Sequence, residues 1–142
     1  MKTVQHVLHA KSGPLVTVSP EATVYDALAL MARYDIGALV VVDDEGIAGM
    51  FSERDYARKV ILRGKSSREL LVADAMTRQV LTVTLHCTMD DCMAIMTDHR
   101  VRHLPVLAGA GVIGLVSIGD VVKAILDEQR FTIEQLEHYI AT

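Results

Sequence analysis

The sequence predicts an α/β (α+β) fold of two tandem β-α-β-β-α units packed pseudo-symmetrically into one module. Three observations predict it. The stretch Gly49-Met50-Phe51-Ser52-Glu53-Arg54-Asp55 returns 65 residues later as Gly114-Leu115-Val116-Ser117-Ile118-Gly119-Asp120. The register holds without a gap over residues 17–55 against 82–120, where 12 of 39 pairs are identical; ordinary composition gives about two or three. A single unit would be a three-stranded sheet with one covered face, too small to stand comfortably alone, whereas two copies make a sensible domain.

The elements follow in order. Residues 1–14 form a lead-in helix that stops at Ser12-Gly13-Pro14. The first unit, residues 15–62, opens with a brief strand, Leu15-Val16-Thr17-Val18, ended by Ser19-Pro20. Thr23 then caps a helix that carries Val24, Ala27, Leu28 and Met31 on one face. Leu39-Val40-Val41-Val42 is a continuous apolar run of strand length, as in a strand buried on both faces. Asp43-Asp44-Glu45-Gly46 turns the chain, Ile47–Phe51 returns it, and a helix with Tyr56, Val60 and Ile61 starts at Ser52. Residues 63–79 connect the units, polar at first and then a short helical turn around Val72–Thr77. The second unit, residues 80–129, repeats the order, with Thr82-Val83 as its first strand. Its final helix runs to about Gln129, and a separate helix from Thr132, within residues 130–142, carries Ile133, Leu136 and Ile140. Such an amphipathic tail docks on its own domain or on a partner subunit.

Composition narrows the function. Half of the 142 residues are apolar, and the net charge of −4 gives no basic footprint for nucleic acid. Four Tyr, two Phe and no Trp leave few platforms for stacking bases. No apolar run reaches membrane-spanning length, and Met1–His9 is too polar for a signal-peptide core. Two cysteines five residues apart do not make a secreted disulfide framework. These features point to the cytoplasm.

The repeated stretch supports two readings. A strand that runs into a helix start presents free backbone N–H groups to a phosphate. A carboxylate three residues after the hydroxyl can accept hydrogen bonds from a pair of ribose hydroxyls. Ser52/Asp55 and Ser117/Asp120 also spell a capping box, which only stabilises a helix start, as do Thr23–Asp26 and Thr88–Asp91.

Other motifs fail on context. Gly109-Ala110-Gly111-Val112-Ile113-Gly114 fits G-x-G-x-x-G, but its last glycine sits inside a strand, so Gly109–Gly111 reads as a hairpin turn. Gly64-Lys65-Ser66 resembles the end of a P-loop, yet Lys59 stands where that motif needs its earlier glycine. His86, Cys87, Cys92, His99 and His103 lack the paired spacing of zinc sites. Cys92 shares an apolar face with Met89, Met93 and Met96 and reads as core, while His99 reads as solvent-facing. No nucleophile–base–acid set stands out, and an aspartate on a diol has no reacting proton to take, so the reading is no enzyme.

The gapless duplication, the two G-h-h-S-x-x-D ends (h apolar) and Arg102-His103-Leu104-Pro105-Val106 together resemble a CBS-domain pair, or Bateman module, over about residues 4–130. Ser52–Val60, Gly64–Ser67 and Asp74–Thr77 resemble the small stand-alone bacterial members. The resemblance implies two clefts that take adenosine ligands: AMP, ADP, ATP, an NAD-type dinucleotide or S-adenosylmethionine. It implies Asp55 and Asp120 for ribose, Ser52 and Ser117 near phosphate, and adenine near Thr17 and Thr82. Gly37, Ala38, Arg102, His103 and Pro105 map to the approach to the second strand of each unit, where a polar or basic residue meets the phosphate. Gly37 and Ala38 lack that charge, so the clefts are expected to differ, with Arg54 or Arg58 as substitutes. The resemblance also implies a homodimer through helices, no metal, and a sensor that changes shape or association on binding. A structural dimerisation module with vestigial clefts and a nucleotide-processing enzyme are the alternatives.

Overall fold

The computed structural model describes residues 1–141. The chain divides into two units. One holds Pro14–Leu81 with Gly109–Val112; the other holds Met1–Gly13, Thr82–Ala108 and the chain from Ile113 onward.

In the first unit, strands β1 (Thr17–Val18), β2 (Ala38–Asp43) and β3 (Gly46–Ser52) form one sheet in that order. β1 runs parallel to β2, with Thr17 opposite Val40. β2 is antiparallel to β3, which sets Ala38 opposite Ser52. Ala38, Leu39, Val40 and Val41 are all buried, as the apolar run predicted for a strand covered on both faces. The turn between β2 and β3 closes with the Glu45 amide donating to Asp43 Oδ1 at 2.8 Å, and Gly46 takes φ 117°, open mainly to glycine. Helix α2 (Val24–Tyr34) starts where Thr23 accepts from the Asp26 amide, and its buried face is Val24, Ala27 and Met31. Helix α3 (Glu53–Asp55) begins at Ser52 and passes into a π-helical turn, Tyr56–Ile61. There the Leu62 amide reaches back five residues to the Ala57 carbonyl at 3.1 Å. Helix α4 (Val72–Ala75) packs Val72, Ala75 and Met76 into the same core as Val24, Leu39 and Phe51.

In the second unit, α5 (Met89–His99) is capped by Thr88 and buries Met89, Cys92 and Met96. Cys92 is thus a core residue, and burial first, with Cys87 and Asp91 adding, pushes its thiol up to about 11. His99 is exposed at the end of α5. Strands β4 (His103–Ala108) and β5 (Gly111–Ser117) pair. The strand predicted at Thr82-Val83 is reduced to one parallel bridge, Val83 to Val106, and Thr82 lies exposed outside it. Pro105 explains the difference. It stands where the first unit has Val40 and has no N–H to donate to the next carbonyl back along that edge.

The segment that precedes each repeat packs in the unit of the other. Helix α1 (Val4–Ala10) joins the second core through fully buried Val4, and the Val4 amide donates to the Cys87 carbonyl at 2.9 Å. In the first unit, Met50 and Thr77 exchange backbone hydrogen bonds of 2.9 and 2.8 Å. Gly49 and Gly114 make these approaches possible. A Cβ on Gly49 would meet the Thr77 carbonyl oxygen at 2.6 Å, and one on Gly114 would meet Leu8 methyls at 2.8 Å.

The expected break before Thr132 is absent: α6 is one helix, Ile118–Ala141. No glycine or proline lies between Asp120 and Ala141, and the Thr132 hydroxyl donates to the Glu128 carbonyl at 3.1 Å instead of capping a new start. Ile133, Leu136 and Ile140 are not docked on their unit; all three are exposed.

Candidate functional site

Both repeated stretches lie at the junction of a strand with the helix that follows it. In the first unit Ser52 ends β3 in the extended conformation (φ −126°, ψ 166°), which an N-cap needs. Its amide and hydroxyl donate to Asp55 Oδ2 at 2.9 and 3.1 Å, and its Oγ accepts from the Asp55 amide at 3.2 Å. The capping box is therefore real. It does not exhaust the carboxylate. Thr77 Oγ1 donates to Oδ1 at 2.9 Å, and Lys59 Nζ stands 3.0 Å from the same oxygen. Asp55 is the buried charged residue of the described chain, and Lys59 balances it. The Gly37 carbonyl accepts from the Glu53 amide at 3.1 Å, which pins the helix start to the base of β2.

The second unit repeats the junction with different partners. The Ser117 amide donates to Asp120 Oδ2 at 2.9 Å, and Ser117 Oγ accepts from the Asp120 amide at 3.1 Å. The Arg102 carbonyl accepts from the Ile118 amide at 2.8 Å, as Gly37 does in the first unit. The cation here comes from far away in sequence: Lys11 Nζ lies 2.8 Å from Asp120 Oδ2 and donates to the Leu115 carbonyl at 2.9 Å. Burial pushes the Asp120 carboxyl up, but the hydrogen bond from Lys11 and those from Ser117 outweigh it, and the group sits below its usual range. The Asp120 side chain is 23 % exposed against 10 % for Asp55. The second carboxylate is thus the more open to an incoming donor.

His103 starts β4, half-buried near this pair. Burial, then the charge of Lys11, pulls its pKa down; Asp120 opposes this and Arg102 adds to it. The folded chain therefore holds His103 neutral where the unfolded chain, near pH 6.5, begins to bind a proton. The unfolded state gains protons first on acidification, so this contribution to stability is intact above about pH 6.5 and fades as pH falls toward the lowered folded value. His103→Ala, which copies Ala38, should flatten the fall in melting temperature between about pH 7 and pH 5. Melting curves of both proteins across that range check it; parallel curves would contradict it.

The structure brings Gly37, Ala38, Ser52 and Asp55 together in one unit, and Arg102, His103, Ser117 and Asp120 in the other. Thr17 stands on β1, across β2 from β3, and Pro105 is buried in β4, where its carbonyl accepts from the Val83 amide at 3.0 Å. The side chains of Arg54, Thr82 and Arg102 are exposed. Lys11, Lys59 and Thr77 were not foreseen as site residues. Lys59 follows Asp55 at i+4, a spacing that signals a pair on one helix face. Nothing local signals Lys11. Among the described residues, no group of three or more His, Cys, Asp or Glu is placed to hold a metal ion, and no helix is long and apolar enough to cross a membrane.

The family model of the CBS domain matches twice, over residues 6–62 and 72–127. The chain belongs to the CBS-domain family. It carries a CBS pair, and its mixed α/β architecture matches solved modules of that kind. A protein with CBS domains from Burkholderia ambifaria MC40-6 is 50% identical with a TM-score of 0.86, over 90% of this chain and 96% of that one. The CBS domain-containing protein CBSX3, mitochondrial, of Arabidopsis thaliana is 41% identical over 97% of this chain and 71% of its own length. The structure of CBSX2 in complex with AMP is 28% identical with a TM-score of 0.71, over 91% of this chain and 99% of that one.

Proposed function

We propose that this CBS pair is an adenine-nucleotide sensor whose two strand–helix junctions each take one adenosine ligand. The observation that carries the reading is the recurrence, in both units, of a capped aspartate with a lysine at salt-bridge distance. The carboxylate suits a ribose diol, and the ammonium suits a phosphate. Helix capping alone requires neither lysine. The AMP complex of CBSX2 supports the ligand class.

Asp55 and Asp120 take the ribose, Ser52 and Ser117 lie toward the phosphate, and adenine lies near Thr17 and Thr82. Lys11 and Arg102 supply the positive charge of the second site, and the neutral His103 imidazole adds a hydrogen-bonding group, at a place where the first site has Gly37 and Ala38 and relies on Lys59 and Arg54 for charge. The second site therefore favours phosphorylated ligands such as AMP, ADP or ATP, and the first tolerates a dinucleotide such as NAD. The protein acts by binding, not catalysis, and works as a homodimer. A ligand acts as a signal only if it binds one state of the protein better than another.

A purely structural role is the second reading, favoured by the satisfied hydrogen bonds of both aspartates. Native mass spectrometry of protein purified without added ligand, then with AMP, separates the two. The sensor reading expects up to two nucleotides per chain. No bound mass, and no rise in melting temperature with AMP, ADP, ATP or NAD, would support the structural one.

A further inference from the structure

The last turns of α6 bury no side chain in the core of their own unit. Every described residue from Gln129 to Ala141 is exposed. The helix has 24 residues, about 36 Å, and its buried residues, Val121 and Ala124, lie in its first two turns. A helical extension of this length is marginal in water without tertiary packing.

Five of its exposed apolar residues share one stripe, while Phe131 and Tyr139, 62 and 80 % exposed, lie off it. Val122, Leu126, Ile133, Leu136 and Ile140 are 41, 45, 54, 57 and 81 % exposed. With Gln129 they step by four and three residues in alternation, the seam of a two-helix coiled coil. Leu126, Ile133 and Ile140 take one seam position of the heptad, and Val122, Gln129 and Leu136 the other. This stripe is separate from the Val121/Ala124 face that already packs.

We propose that the stripe is an interface for a second copy of this chain, with the two α6 helices antiparallel. The charges beside the seam select both the partner and its direction. Lys123, Arg130 and Glu137 repeat at heptad spacing along one flank. An antiparallel pair centred near residue 131 sets Leu126 against the partner's Leu136 and Val122 against the partner's Ile140. On the flank it sets Lys123 beside the partner's Glu137, twice by symmetry. Arg130 falls beside the partner's Arg130 at the axis, a like-charge contact offset by Asp127 and Glu134 at i−3 and i+4 on its own helix and outnumbered by the two Lys123–Glu137 pairs. A parallel pair would bring Ile125 to the partner's Arg130 and Thr132 to the partner's Glu137, with no ion pair. The stripe is therefore self-complementary in one direction, as a two-fold interface requires. The proposal rests on the homodimer proposed above and is independent of nucleotide binding.

Sedimentation equilibrium at micromolar concentration tests it on the full chain. Wild type should be a dimer, and Leu136→Glu should weaken the dimer at least about tenfold by placing a charge in the seam. Lys123→Glu and Glu137→Lys should each weaken it about twofold to fivefold. The double variant Lys123→Glu/Glu137→Lys should recover wild-type association, and the two single variants should pair preferentially with each other when mixed. Circular dichroism shows whether Leu136→Glu stays folded, and AMP calorimetry on it reads the nucleotide site separately. A dimer indifferent to Leu136→Glu would overturn the surface, and single charge changes without rescue would overturn the antiparallel register. A monomeric wild type would overturn both the interface and the homodimer, leaving nucleotide binding to stand or fall on its own titration.

Discussion

Asp120→Ala is expected to lower the affinity of the second site for AMP by about ten- to a hundredfold while lowering stability much less. A carboxylate that accepts from a ribose diol contributes about 1.5–3 kcal/mol through charged hydrogen bonds. Its structural duties are lighter. The capping-box bond it accepts from the Ser117 amide is worth a few tenths to about 1 kcal/mol. Its ion pair with Lys11, whose side chain is 39 % exposed, adds at most about 1 kcal/mol. Calorimetry with AMP and thermal unfolding of the same variant give the two numbers together. Unchanged affinity with a much lower melting temperature would assign Asp120 to capping alone.

Gly49→Ala is expected to cost about 2–4 kcal/mol of stability, a fall of roughly 5–15 °C in melting temperature. The new Cβ would lie 2.6 Å from the Thr77 carbonyl oxygen. Retreat is blocked, because the neighbouring Met50 exchanges two backbone hydrogen bonds with Thr77, and the Thr77 hydroxyl donates to Asp55. Relief by moving the segment would break bonds worth about 1 kcal/mol each. Gly114→Ala is the control. Its Cβ meets the flexible Leu8 side chain (both methyls at 2.8 Å and Cγ at 3.3 Å) and not backbone, so the side chain can turn aside and a loss of about 1 kcal/mol is expected. Thermal unfolding of the two variants decides it, and equal losses would show that backbone crowding is not the cause.

Much of this architecture is legible in the sequence because it depends on local patterns. The buried run at β2, the Thr23 and Thr88 caps, and the core face of Cys92, Met89 and Met96 all follow from periodicity and capping chemistry. The two strand–helix junctions are visible because they repeat. What stayed hidden depends on contacts between distant residues. Lys11 reaches Asp120 across 109 positions, and the packing of each lead-in segment beside the opposite repeat leaves no trace in either segment alone. The shortened strand at Val83 was readable in principle from Pro105, since a proline in that register removes a donor. Thr132 misled because a hydroxyl that caps one helix can equally bond back into another, and only the absence of a breaker nearby distinguishes the cases.

The most direct test of the central claim compares AMP with its 2′,3′-dideoxy analogue by calorimetry on the wild-type protein. Both carry the same base and phosphate; only AMP offers the two hydroxyls that Asp55 and Asp120 are proposed to accept from. AMP should bind, and the analogue should bind about ten- to a hundredfold more weakly. Equal affinities, or no heat from either ligand, would contradict a nucleotide site built on these two carboxylates.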